Sequence, residues 1–465
     1  MYMSIFANND INQKKYNFKT TLGYIFTDLY LGNWMTLLMK MILCLGVLLT
    51  LNACNDKDTY IKSMIDSDSN NKMTLLERYE KACNSSNGAA CAWLGYFYRY
   101  GENVPQNHVK AKKYNEMACN LFNGDGCYLL AHAYLEGYSV VIDKSQARRY
   151  FEKGCKFGNS KSCLTLGNDY KSGNGIKEDF AKANMYYEKA CNHNEGHGCE
   201  KLALSYYKGT GVEQNLEKAK SYNVKACDLN ISDACTFLGN LYFFGQEVKQ
   251  NYSQARNYYQ KGCRYKDSES CNKLAAIYLK GLGVKKNNRK GKIYAEIACN
   301  SKNSKGCSFL GYIYEKGIGV KVDYAQAKNY YKKSCTYLYD ANGYGCTRLG
   351  NLYYNGLGVK QNYKKAHKYF QKASRKKYGE AEYNLGVLYY LGNGVDSSYE
   401  KARIHFERAC EFNYAKGCYN LAGFYYHGYG VKADYKTAKD YLDKACDLKD
   451  SRGCKDSEAL VKLGF

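Results

Sequence analysis

The chain has 465 residues, with 68 Lys and Arg against 44 Asp and Glu, for a formal charge of +24. At 45% hydrophobic and 24% charged residues it is neither a disordered nor a collagen-like chain, and a single apolar stretch near its start excludes a polytopic membrane protein. Its 22 cysteines exceed what a protein of a reducing compartment keeps, so bridges and metal ligands are the two readings to separate.

Residues 35–54 read MTLLMKMILCLGVLLTLNAC. Lys40 precedes the apolar run Met41 to Leu51, and Ala53 follows it. A basic flank, about ten apolar residues and a small residue describe a secretory signal, too short to span as a helix. Leu51-Asn52-Ala53-Cys54 resembles a bacterial lipobox, which implies lipidation of Cys54, although Asn52 departs from the small or branched residue usual there. Met35 or Met39 is read as the start, residues 1–34 as an extension ahead of the signal, and 55–72 as a linker. Export to an oxidising compartment, secreted, periplasmic or lipid-anchored in the envelope, is expected.

Beyond the linker the chain repeats itself. The first cysteines of successive pairs, from Cys83 through Cys119, Cys155, Cys191, Cys227, Cys263 and Cys299 to Cys335, are spaced 36 residues apart seven times. Cys410 follows after 75 residues, one step of 36 and one of 39, with Ser374 in place of the missing cysteine, and Cys446 follows after another 36. Each unit carries L-G/A-x-x-Y, as in Leu166 with Tyr170 and Leu202 with Tyr206. A separation of four puts both side chains on one helical face. G-x-G-V follows, as at Gly209 to Val212, supplying the positive φ that ends a helix. With no strand before it and no six-residue glycine fingerprint, it is not a phosphate loop. A second helix opens on Asp or Asn as a cap, carries small residues such as Ala147, Ala183 and Ala219, and places Tyr150, Tyr186 and Tyr222 three residues later on the same face. One hairpin cannot cover its own apolar stripe, whereas stacked neighbours can.

The string L-G-x-x-Y-x-x-G-x-G-V-x-x-D-Y-x-K-A-x-x-Y-Y-x-K-A-C resembles Sel1-like repeats, relatives of tetratricopeptide repeats. With a C-x7-C pair in nearly every unit and an export signal, the chain is similar to the Helicobacter cysteine-rich protein family over residues 73–454. The expected fold is all-α, a right-handed α/α solenoid of about ten Sel1-like helix-turn-helix repeats, stapled by disulfides, with residues 455–465 as a C-terminal cap.

The pairs are Cys83 and Cys91, Cys119 and Cys127, Cys155 and Cys163, Cys191 and Cys199, and Cys227 and Cys235. Cys263 and Cys271, Cys299 and Cys307, Cys335 and Cys346, Cys410 and Cys418, and Cys446 and Cys454 complete the set. Eight residues rise about 12 Å in a continuous helix, beyond the roughly 7 Å between Cα atoms that a disulfide allows. The bridges therefore need a turn between the cysteines, tying the end of one helix to the start of the next. Zinc sites use tighter spacing; Cys191, His193, His197 and Cys199 form the one segment where a metal competes with a bridge. The unbridged unit with Ser374 and Glu382 is expected to open more readily than its neighbours.

The resemblance implies binding of a β-lactam or peptidoglycan fragment with weak β-lactamase activity, and no cofactor. The residues offer little for hydrolysis. S-x-x-K occurs at Ser205 with Lys208, Ser374 with Lys377 and Ser398 with Lys401, without the S-D-N and K-T-G that complete a serine β-lactamase site. Ser374 with Lys377 and Glu382 is the best candidate for a nucleophile and base. The alternative is a non-catalytic peptide or protein interaction scaffold. Two residues after each repeat Leu the side chain varies, and Asn168, Asn240 and Asn351 are candidate ligand contacts because an amide both donates and accepts. The positive charge favours an anionic envelope or host partner. No nucleic-acid recognition motif is present, and a membrane would be met only through a lipid anchor.

Overall fold

A computed structural model describes residues 74–336 and 343–464. The signal, Cys54 with its lipobox, the extension and the linker 55–72 lie outside them. Among the described residues there are 22 helices and no strand. The chain divides into a unit ending at Ser85 and a unit from Ser86 onward. The described part of the former is the helix Leu75–Asn84, opened by a capping box in which Thr74 and Glu77 satisfy each other's backbone N–H groups.

The second unit alternates two kinds of helix. The repeat built of Ser160–Ser172 and Phe180–Asn192 shows why the sequence folds this way. The first helix ends at Gly173 (φ 66°), and Gly175 (φ 69°) completes the reversal; both conformations are costly for a residue with a Cβ. Asp179 then caps the second helix by accepting from the Lys182 backbone N–H at 2.9 Å. Asn107, Asp143, Asn215, Asn251, Asn287, Asn362 and Asp434 cap their helices in the same way, as the repeated Asp/Asn predicts. Inside the hairpin Leu166 and Ala183 are buried, and Tyr170 stacks on Tyr186 with ring centroids 5.6 Å apart.

The residue after the repeat Leu sets how closely the paired helices approach. A Cβ on Gly167, Gly239, Gly311, Gly350 or Gly386 would fall 2.4–2.7 Å from the ring of Tyr187, Tyr259, Tyr331, Phe370 or Phe406. These rings are buried and fill the hairpin centre. The same position is Ala203, Ala275 or Ala422 in repeats whose second helix supplies Asn223, Ala295 or Leu442 instead. In most repeats small and large residues therefore trade across the pair, conserving volume, whereas Ala131 faces Phe151 and Gly95 faces Asn115.

Between most repeats a three-residue turn joins the second helix to the next first helix, such as His193 to Glu195 before the helix Gly196–Lys208. It brings the paired cysteines to Cα separations of 4.5–4.8 Å in nine bridges, including Cys335–Cys346 across its longer segment. Cys83 and Cys91 are each in a disulfide. The staple reading thus holds, and the chain is a disulfide-stapled repeat solenoid. Several first helices also meet the first helix of the following repeat, whereas no second helix makes comparable contact with the next second helix. The first helices line the tighter side of the stack.

Gly311→Ala is expected to destabilise by about 1–3 kcal/mol through the Tyr331 ring, despite the better helix propensity of Ala. Gly423→Ala, whose Cβ would meet nothing within 4 Å, is expected to stabilise by about 0.5–1 kcal/mol. Thermal melts of the oxidised proteins compare the two, and equal shifts would count against the packing argument.

Candidate functional site

The junction without cysteines holds a buried polar cluster. Ser374 ends its second helix and Glu382 lies in the next first helix, Gly379–Leu391, at the two positions that elsewhere carry a bridge. Ser374 Oγ–H donates to Glu382 Oε1 at 2.5 Å. Glu382 Oε2 accepts from His405 Nδ1 at 2.7 Å, which fixes the proton on that nitrogen because an ionised carboxylate only accepts. His405 stands where other repeats place a stacking tyrosine, and its ring lies on Tyr389 with centroids 5.4 Å apart. Tyr389 Oη in turn meets His367 Nε2 at 3.2 Å. Burial opposes the charge on Glu382, but hydrogen bonds from His405 and Ser374 outweigh it and hold the carboxyl below its ordinary value. Burial, helped by nearby His405, pushes the His367 imidazole down.

The three residues grouped from sequence are only partly brought together. Ser374 and Glu382 touch, whereas Lys377 occupies a left-handed turn position (φ 54°) and its side chain has no hydrogen bond or ion pair among the described residues. The carboxylate sits between serine and histidine, so the imidazole does not reach the serine hydroxyl and the order of a serine–histidine–acid triad is absent. The other S-x-x-K serines are also committed. Ser205 Oγ–H donates to the Lys201 carbonyl at 3.2 Å, and Ser398 caps its helix through the Lys401 N–H. His405 escaped the sequence reading, although its departure from the repeated tyrosine, in the one unit that also lacks its cysteines, was the available signal.

The asparagines occupy the first-helix surface but are not free on both edges. Asn168 Oδ1 accepts from Tyr187 Oη at 3.0 Å, and burial pushes that phenol up to about 12, which keeps it a donor. Asn240 Oδ1 accepts from Tyr259 Oη at 2.7 Å. Their Nδ2 groups have no acceptor among the described residues, leaving donors for a ligand. Asn351 is spent inside the protein, donating to Glu380 at 3.2 Å and accepting from Asn384 at 3.0 Å.

The same first-helix surface opens into a cleft of about 570 Å³ in the last repeats, a size that suits a small ligand or a peptide side chain. Val387 and Gly423, both two residues after their repeat Leu, line it with Tyr390, Phe406, Phe424, Tyr426, His427 and Tyr429. The floor is Leu442 and Leu460, and Asn420 and Asp456 are its polar groups. Asp456 accepts from Tyr419 Oη at 2.8 Å, while the Arg452 guanidinium lies over the Tyr419 ring, 4.2 Å from its centroid. Aromatic walls with few polar groups favour an apolar or aromatic moiety carried on a polar chain.

The competing metal segment loses its thiolates, because Cys191 and Cys199 are joined to each other. His197 Nδ1 lies 3.2 Å from Glu200, and among the described residues no three His, Cys, Asp or Glu converge as a metal site.

Fold and joints together define a protein built of cysteine-bridged helical hairpins. A family model described as Sel1 repeat matches residues 88–121, 124–159, 160–195, 196–231, 232–264, 268–303, 304–336, 343–378, 379–411 and 415–450, and the chain belongs to that family. Among solved structures it is similar to c5321, a protective antigen present in uropathogenic Escherichia coli strains displaying an SLR fold, at 27% identity over 83% of this chain and 82% of that one, with a TM-score of 0.74. It is also similar to a Sel1 repeat protein from Oxalobacter formigenes, at 22% identity over 49% of this chain and 99% of that one, TM-score 0.42. Cysteine rich protein B of Helicobacter pylori aligns at 35% identity over 30% of this chain and 99% of that one, TM-score 0.24. No curated protein matches the sequence.

The Glu382 cluster predicts a specific acid response. Its folded carboxyl ionises more readily than the unfolded one, so the stability it supplies is complete above the unfolded value of about 4.3 and is lost as pH falls through the folded value. Between about pH 5 and 3 the thermal midpoint of the native protein should fall more steeply than that of Glu382→Gln. At pH 7 the variant should be less stable by about 1–3 kcal/mol. Parallel acid limbs would show that the carboxylate is not tuned by its partners.

Proposed function

We propose that the protein is an exported binding scaffold that receives an extended peptide, or the peptide portion of a peptidoglycan fragment, along its first-helix face. The observation that carries this reading is the position two residues after each repeat Leu. Leu204 and Tyr312 are exposed there, Asn168 and Asn240 keep a donor, and Val387 and Gly423 open into the aromatic cleft. The leucines two residues earlier are buried. Export is supported by the bridges themselves, which persist in oxidising compartments. A β-lactam, as a compact mimic of such a peptide, belongs to the same ligand class.

Hydrolysis has less support. The Ser374 hydroxyl is bonded to a carboxylate held below its ordinary pKa, a poor base at neutral pH, and no lysine is bonded to it.

Calorimetry of the oxidised protein with a soluble muramyl peptide tests the binding reading. Gly423→Leu should weaken binding by about tenfold or more, by filling the cleft, with no fall in thermal midpoint; unchanged affinity would remove the cleft from the site. In a nitrocefin assay, turnover should not exceed buffer. Turnover that Ser374→Ala abolishes would overturn the non-catalytic reading.

A further inference from the structure

The positive charge of this chain is concentrated in one stretch. Residues 252–378 contain 27 Lys and Arg and 6 Asp and Glu, so this segment holds +21 of the total +24. Its four second helices, Tyr252–Arg264, Asn288–Asn300, Tyr324–Thr336 and Tyr363–Ser374, carry 13 of the bases and a single acid, Glu296. The last two second helices, Tyr399–Glu411 and Tyr435–Asp447, carry six bases and six acids. A charge excess that served only solubility would not need to gather on one side of consecutive repeats.

The five acids of the segment among the described residues are already engaged. Asp267 and Asp323 cap helices through the Ser270 and Gln326 N–H groups. Glu269 pairs with Lys273 and Lys305, Glu296 with Lys292, and Glu315 with Lys316 and Arg348. Lys332, Lys333, Lys364, Lys368 and Lys372 are exposed and have no ion pair among the described residues. Lys364, Lys368 and Lys372 follow one another at intervals of four on one helix, an arrangement that is unfavourable without a counter-charge. Beside them a shallow hollow of about 500 Å³ is lined by Gln326, Asn329, Tyr330, Lys332, Lys333 and Thr336. Tyrosines run through the bases in stacked pairs, Tyr278–Tyr294, Tyr314–Tyr330 and Tyr353–Tyr369, all half-buried except the buried Tyr278, with Lys290, Lys333 and Lys365 over their rings.

We propose that the exposed face of the four second helices Tyr252–Arg264, Asn288–Asn300, Tyr324–Thr336 and Tyr363–Ser374 is a docking strip for a linear anionic polysaccharide. Successive helices present bases at every repeat, which an extended polymer of closely spaced charges meets in register, releasing its condensed counterions. Tyrosine edges among the lysines add the amphipathic contact that sugar rings use. The strip lies on the other helix of each pair from the cleft and does not depend on what the cleft binds.

The test uses the full oxidised chain with heparin as probe, over a salt series, beside vesicles of phosphatidylglycerol and phosphatidylcholine in equal parts and a mixed-sequence DNA duplex. Heparin should bind with affinity falling steeply as salt rises, and more tightly than either alternative. A variant carrying Lys332→Gln, Lys333→Gln, Lys368→Gln and Lys372→Gln should lose about tenfold or more in affinity and flatten the salt slope. Lys401→Gln, Lys436→Gln, Lys439→Gln and Lys444→Gln together remove the same charge from the balanced repeats and should cost less than about twofold. Heparin should also protect Lys332, Lys333, Lys368 and Lys372 of the unmodified chain from acetylation, a readout independent of how the variants fold. Equal losses in the two variants, no protection, or vesicle or duplex binding as tight as heparin would overturn the proposal.

Discussion

The array depends on the closeness of each second helix to the first helix that follows it. A turn of three residues, its middle one in the left-handed region, as Asn194 is at φ 61°, reverses the chain so sharply that side chains eight residues apart meet. Whatever occupies those two positions is buried or half-buried and faces its partner. Sulfur fills the place in nine of these joints. Between Ser374 and Glu382 it is a hydroxyl and a carboxylate. A carboxylate there needs a second donor to remain ionised, and the ring position of the following second helix supplies it as His405 in place of tyrosine. Three departures from the repeated pattern are thus one physical substitution, a polar clamp in place of a covalent one.

Much of the fold was legible because the repeat states its own register. Caps, glycine stops and the Leu and Ala stripes recur at a spacing that only a stacked hairpin explains, and they form the elements they predict. The exchange between the glycine after Leu and the ring that covers it was less legible. Gly311 and Tyr331 lie 20 residues apart, and their trade-off in volume is visible only once the helices are paired.

The candidate site was harder to read for a related reason. Period and spacing reveal which positions face outward, so the first-helix surface could be found, but not which polar atoms the protein keeps for itself. Asn351 looks like Asn168 in sequence, yet it is consumed by Glu380 and Asn384. Ser374 resembles a nucleophile beside a lysine, yet its hydroxyl is taken by a carboxylate 8 positions further along the chain, itself held by a histidine 23 positions beyond that. The cleft of the last repeats is assembled from five helices and a loop and has no linear signature.

The bridges also bear on how the molecule is made. Each of the nine joins a cysteine to the very next one in the chain. An oxidant that links thiols in their order along the chain therefore produces native pairs directly, each within a loop that closes before the next repeat is needed. The eighteen sulfurs of these bridges, which in a shuffled chain would offer an enormous number of wrong partners, become a sequence of local choices.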